Sequence, residues 1–330
     1  MSYTSESICD PKASLKVVKE VVELLGYKKV DDGLKMPDRK GCYYWIERKD
    51  YRSYAGVELD IYKKRGEPVI VATRSTVSRS YWDLVHQNKT LRLIRDLLGG
   101  NFTTDAGRNR YWHTEGSPPK PVSSGCYLAR WRFNNALIKP RIYLTQRGLD
   151  QPNAKPEPTG LWIMDDMNPR FFSNNLIIPY LIAIWEEFFK TSFIAMLQYS
   201  THREAALKRA RLNQNHLEMI MTGTSTIEEA LADSLSFQRP SIIAENFKLI
   251  DPKLNIATSL KKPYRRRKES LFDAIVAYVE QRNEFVHAGN MNAQLSDKKI
   301  EKAMNDFEVA VDRCYEAFGV HCGFTPIRDY

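Results

Sequence analysis

The sequence has no long apolar run. Its longest, Leu176 to Trp185, is ten residues, contains Pro179 and leads into Glu186-Glu187, too short to span a bilayer. Cysteine is sparse: Cys9, Cys42, Cys126, Cys314 and Cys322 are scattered and form no CxxC pair. That excludes a disulfide framework and a thiolate zinc site, and points to free thiols in a reducing compartment. No glycine-rich loop is present to cradle phosphates; Gly99-Gly100 reads as a helix stop. A metal-nuclease carboxylate set is also missing. Glu58 and Asp60 share a strand face, but Glu47-Arg48-Lys49 precedes that pair instead of following it. No metal and no cofactor are therefore expected. Met1 to Pro11 lacks a basic-then-apolar signal pattern, so the expectation is a soluble, cytoplasmic chain with no membrane contact.

What is present is room for two cores and an excess of positive charge. At 330 residues, 43% apolar, the chain suits two ordinary globular domains, and a net charge of +9 suits a polyanionic partner. Pro11 to Leu25 reads as a helix closed by Gly26. Strands are expected at 42–46, 54–62 and 69–73, then a helix over 78–98, an irregular stretch over 101–125, and strands at 127–133 and 141–145. Residues 148–160 are rich in proline and polar side chains, and are read as the linker between domains 1–147 and 161–330. Beyond it, strand signals nearly vanish and helices are expected at about 174–200, 201–221, 227–236, 241–248, 270–287 and 296–318. The fold class is α+β: a mixed helix–sheet domain, then an all-helical one.

The chemistry-bearing stretch is Arg282-Asn283-Glu284-Phe285-Val286-His287, at the end of the helix that begins near Ser270 and just before Ala288-Gly289. An imidazole titrating near neutrality moves protons, and a guanidinium grips phosphate with a fork of donors. Arg and His recur with four to six residues between them elsewhere too: Arg79/His86, Arg108/His113, Arg209/His216 and Arg211/His216. Only Arg282/His287 combines a helical lead-in, a polar neighbour after Arg, and a glycine stop. Glu186 and Glu187 interrupt a helix that is otherwise apolar almost all round. They form either its solvated edge or a partner for the pair.

Lys261-Lys262-Pro263-Tyr264-Arg265-Arg266-Arg267-Lys268 leads into the motif helix. Its charges suit RNA phosphates and Tyr264 suits a base, while a solvated surface is the plainer reading. The first half is dense in aromatics, among them Tyr43, Tyr44, Trp45, Trp82, Tyr111, Trp112 and Trp131, with Arg130 and Arg132 on one expected strand face. Core packing accounts for most of those rings, and binding of a base or nucleotide is the alternative.

The motif resembles the Arg-x4–6-His signature of the HEPN superfamily of helical ribonucleases, over about residues 174–318. The resemblance implies a bundle of four or five helices and a homodimer whose motifs meet across a two-fold axis. It implies metal-independent endoribonuclease activity, in which a ribose 2′-hydroxyl attacks its own phosphate to leave a 2′,3′-cyclic phosphate. His287 would move protons, Arg282 would stabilise the phosphoryl oxygens, Asn283 would orient one of them, and Glu186 or Glu187 would support the pair. Proteins similar to this are commonly toxins or antiviral defence effectors. That implies an RNA substrate, and an antitoxin or activating ligand at the first domain. A catalytically silent HEPN-type nucleotide- or RNA-binding module and a DNA-binding regulator are the other readings.

Overall fold

The computed structural model describes residues 2–34, 36–114, 116–150, 157–208, 212–265 and 267–328. It falls into two compact units, Met1–Pro121 and Val122–Tyr330.

The first unit runs β1 (Tyr3–Ile8), α1 (Leu15–Leu24), β2 (Lys28–Val30), β3 (Arg39–Trp45), β4 (Val57–Tyr62), β5 (Ile70–Ser75), α2 (Tyr81–Leu98), β6 (Asn101–Thr104) and β7 (Gly107–Arg108). The strands form one sheet in the order β2-β3-β4-β5-β1-β6-β7, with every neighbouring pair antiparallel. Strand periodicity sorts the side chains. Val57, Leu59 and Ile61 of β4 join Val18 and Val22 of α1 and Ile94 and Leu98 of α2 in the core. Glu58 and Asp60 take the other face, where they meet Arg74 at 3.8 Å and Arg39 at 2.7 Å. A capping box between Ser80 and Asp83 starts α2, and Asp83 also accepts the backbone N–H groups of Tyr54 and Ala55. β1 went unrecognised in the sequence because Tyr3-Thr4-Ser5-Glu6-Ser7-Ile8 buries only the small Ser5 and Ser7 on its inner face.

The second unit is helical: α3 (Pro121–Asp150), α4 (Trp162–Asp166), α5 (Pro169–Gln198), α6 (Arg203–Lys208), α7 (Gln214–Met221), α8 (Ile227–Asp233), α9 (Pro240–Lys248), α10 (Ile256–Lys261), α11 (Leu271–Ala288) and α12 (Asp297–Cys322). Its centre is the middle of α5. Trp185, Phe188, Phe189 and Phe193 are all but inaccessible to water, and they meet Phe247 of α9 and Phe307 and Phe318 of α12 ring against ring. None of the described helices is long and apolar enough to cross a membrane.

Two expectations are corrected here. Residues 127–133 and 141–145 are not strands but part of the thirty-residue α3. Their aromatics alternate as in a strand, yet Cys126, Ala129, Phe133, Leu137, Pro140 and Leu144 are buried at steps of three and four. Arg130 and Arg132 therefore do not share a face. Arg130 binds Asp312 of α12 at 2.7 Å, while Arg132 is exposed. Since α3 also binds α12 through Arg141–Glu308 and Arg147–Asp297, it belongs to the second unit. The compact units thus divide at Pro121/Val122, ahead of the stretch expected as the linker. Of that stretch, Gly148 to Asp150 end α3, residues 151–156 lie outside the described residues, and Thr159 and Gly160 hold the Asp165 carboxylate.

His86 gives the first unit a pH dependence. Its ring stacks on Trp45 at 3.6 Å, and Nε2 is buried without a hydrogen-bond partner. Burial, with the charge of Lys89 adding to it, pushes its pKa down from 6.5 to about 3. The unfolded chain takes up that proton below its ordinary pKa. Stability is therefore full above about pH 6.5 and falls as pH drops towards 3, by an amount on the order of a few kcal/mol. His86→Phe keeps the stack and removes the titration. Its urea midpoint is expected to change less than that of the natural chain between pH 6.5 and 4; equal slopes would show that His86 is not the source.

Candidate active site

Helix α11 begins at Ser270, whose hydroxyl accepts the N–H of Asp273 at 3.2 Å. Leu271, Ala274, Ile275 and Val279 form its buried stripe. After Val279 the stripe ends, and Arg282, Asn283 and His287 emerge from the last turns. Gly289 stops the helix with a left-handed φ of 71° and donates its N–H to the carbonyl of Glu284, a conformation glycine adopts without a Cβ penalty.

Five residues along a helix turn a side chain through about 140°. The pair meets all the same. Arg282 Nη1 lies 3.2 Å from Nε2 of His287 and donates to Oδ1 of Asn283 at 2.9 Å. A guanidinium has no acceptor, so in this contact Arg282 donates and Nε2 of His287 accepts. His287 is exposed, while Arg282 and Asn283 are half-buried. The arrangement presents a guanidinium and an imidazole side by side at the surface.

The two glutamates of α5 part company. Glu187 is exposed and accepts the hydroxyl of Thr191 at 3.0 Å. Glu186 is half-buried and has a buried Oε1 without a partner. Burial pushes its carboxyl above the usual range, while a hydrogen bond with Gln238 and the charge of Arg282 act against that. Glu186 thus lies within the electrostatic reach of Arg282. It lines a cleft of about 430 Å³ together with Glu187, Lys190, Asp233, Ser236 and Gln238.

A second polar cluster fixes the segment that follows the motif, and nothing in the sequence reading anticipated it. Asn175 of α5 accepts the N–H of Asn292 at 2.9 Å and donates to its carbonyl at 3.1 Å. Asn174 donates to the carbonyl of Leu295 and to Asp297. Asp297 also binds the guanidinium groups of Arg147 and Arg170. Burial works to raise its pKa, but Arg170, Asn174 and Arg147 hold it below the usual carboxylate range. The available signal was the adjacent Asn174-Asn175 at the head of the apolar run Leu176 to Trp185.

The basic run has a different character from the one expected. Tyr264 is only 8% exposed, and the guanidinium groups of Arg265, Arg267 and Arg313 lie over its ring at 4.9–5.4 Å, so its face is not open to a base. Arg267 is bound at 2.7 Å to Asp306, which is fully buried and also accepts the Tyr278 hydroxyl. Arg313 donates to the carbonyls of Lys262 and Pro263. Lys261, Lys262, Arg265 and Lys268 remain exposed, and Arg266 lies outside the described residues.

Among the described residues, the Arg79/His86 and Arg108/His113 pairs make no such contact. His86 is buried in the first unit's core, and Arg79 lies over the ring of Tyr3. His113 is exposed beyond β7. His216 completes the cap of α7, while Arg209 and Arg211 lie outside the described residues. Residues 155–319 match the family model described as RiboL-PSP-HEPN. No curated protein and no solved structure matches the chain.

The ion pair at Asp306 separates scaffold from surface within the basic run. Arg267→Met leaves a buried carboxylate short of its closest charge partner and is expected to cost about 3 kcal/mol in urea unfolding. The exposed Lys262→Ser and Lys268→Ser are expected to stay within about 0.5 kcal/mol of the natural chain. Equal losses from both kinds of change would place Arg267 on the surface instead.

Proposed function

The chain belongs to the RiboL-PSP-HEPN family, and on that premise we propose that it is a metal-independent endoribonuclease whose reacting groups are Arg282 and His287. The observation that carries this reading is the 3.2 Å approach of Nη1 to Nε2 at an exposed helix end. A phosphate arriving there draws the guanidinium and frees Nε2. The imidazole then takes the proton of a ribose 2′-hydroxyl. The 2′-oxygen bonds to phosphorus, the bond from phosphorus to the 5′-oxygen breaks, and that oxygen leaves with a proton from solvent. Arg282 offsets the charge that builds on the phosphoryl oxygens, and Asn283 holds the guanidinium in line. Glu186, within the electrostatic reach of Arg282, supports it; Glu187 has its own bond to Thr191.

The same reading includes a homodimer through the second unit. Phe172 and Leu176 of α5 and Val286, beside His287, are each about half exposed, and the Phe172 ring is 6.1 Å from that of Phe285. These apolar side chains border the motif and favour burial against a second copy. Exposed Lys261, Lys262, Arg265 and Lys268 supply positive charge for RNA phosphates. Unrestrained cleavage of RNA harms the cell that makes the enzyme, which fits a toxin or antiviral defence effector held in check by an antitoxin or a ligand.

His287→Ala and Arg282→Ala are each expected to lower cleavage of mixed RNA at least ~10²-fold, with unchanged circular dichroism, since both side chains lie outside the buried stripe. Full activity in either variant would rule the pair out. Light scattering at micromolar concentration is expected to give twice the 38.2 kDa chain mass; a monomer that still cleaves would remove the dimer from the account.

A further inference from the structure

The first unit carries a second place where positive charge and aromatic surface meet. Val85, Asn88, Lys89 and Arg92 recur at steps of three and four on α2 and so share one face. With Tyr111 and Thr114 from the segment after β7, they line a pocket of about 370 Å³. Its wall is held in place. Asn88 donates to the Trp112 carbonyl at 2.8 Å and accepts the Trp112 N–H at 3.0 Å. Trp112 in turn stacks on Tyr3 with ring centres 4.3 Å apart. Tyr111 is 37% exposed, while its ring is backed by Phe102 at 4.9 Å and by the Arg95 guanidinium at 5.8 Å. Lys89 and Arg92 are exposed, and among the described residues neither has an acidic partner. Arg39, Arg74 and Arg95 of the same unit each do.

Two unpaired cations one helical turn apart call for an anion, and a phosphate satisfies both at once. A bare inorganic ion would leave the Tyr111 ring and the Val85 wall uncovered. A ligand that joins a phosphate to a flat ring covers them all, and a preformed pocket of this size suits a single nucleotide. We propose that this pocket binds a nucleoside phosphate, either free or as the phosphorylated end of an RNA chain. The phosphate lies between Lys89 and Arg92, and the base lies on Tyr111. No residue of the ribonuclease reading takes part, so the two stand or fall separately.

The test is calorimetric titration of the full chain with AMP, GMP, CMP and UMP, with inorganic phosphate as the control. A single-stranded trinucleotide with a 5′-phosphate and its unphosphorylated twin complete the set. At least one nucleotide is expected to bind one site per chain, roughly tenfold or more tighter than inorganic phosphate. The double variant Lys89→Ala, Arg92→Ala should weaken it at least tenfold, as should Tyr111→Ala. Tyr111→Phe, which keeps the ring, should bind as the natural chain does. Melting temperatures report whether each variant is folded. Tighter binding of the free nucleotide identifies a soluble effector, and tighter binding of the phosphorylated trinucleotide identifies an RNA end. The proposal is overturned if inorganic phosphate matches every nucleotide, if the double variant binds unchanged, or if nothing binds at millimolar concentration. RNA cleavage by the same preparation reports on the second unit alone.

Discussion

Trp185, Phe188, Phe189 and Phe193 of α5 have almost no access to water, and the second unit is arranged to keep them so. Phe247 of α9 and Phe307 and Phe318 of α12 close over them. Trp185 spends its one donor on the carbonyl of Gln238, which leaves no buried N–H unpaired on that ring. With its centre fixed in this way, α5 brings polar residues to α11 and to the segment that follows it. Glu186 comes within the electrostatic reach of Arg282. Asn175, about three turns earlier, grips both backbone groups of Asn292 beyond the motif. The site is therefore held from both sides by a helix whose own position is dictated by aromatic packing.

Within that frame the geometry of a single helix decides what the motif can be. Side chains five residues apart point about 140° from each other, which invites a site completed by a second subunit. The length of the arginine side chain makes that unnecessary. Arg282 reaches round the helix end to His287 while Asn283 steadies the same nitrogen. A lysine there would offer no planar fork to share between a histidine, an asparagine and a phosphate. Dimerisation, in this account, encloses a pair already formed in each chain.

How much of this the sequence carried depends on which force governs each segment. The β4–β5 hairpin and α2 are set by local periodicity and capping, and were legible. So was α11, with its serine start, apolar stripe and glycine stop. α3 was not. Its aromatic and branched residues favour a strand locally, and only its burial against the rest of the second unit selects the helix. α10 was hidden for another reason: six residues give too short a window for a period to show. The motif pair could be picked out because its context differs from that of the four other Arg–His spacings. The fate of the basic run could not be read, because the buried Asp306 that takes up Arg267 lies 39 residues away in sequence.

The two units thus present different groups: an Arg–His pair at an exposed helix end, and a pocket where Lys89 and Arg92, which have no acidic partner among the described residues, stand beside Tyr111. The central claim concerns the first. It is tested most directly by the ends of the fragments that the purified chain makes from RNA in the presence of EDTA. The account predicts 2′,3′-cyclic phosphates and 5′-hydroxyls, formed without any metal and absent when His287 is replaced by alanine. Cleavage that needs a divalent cation, or that leaves 3′-hydroxyls and 5′-phosphates, would contradict it.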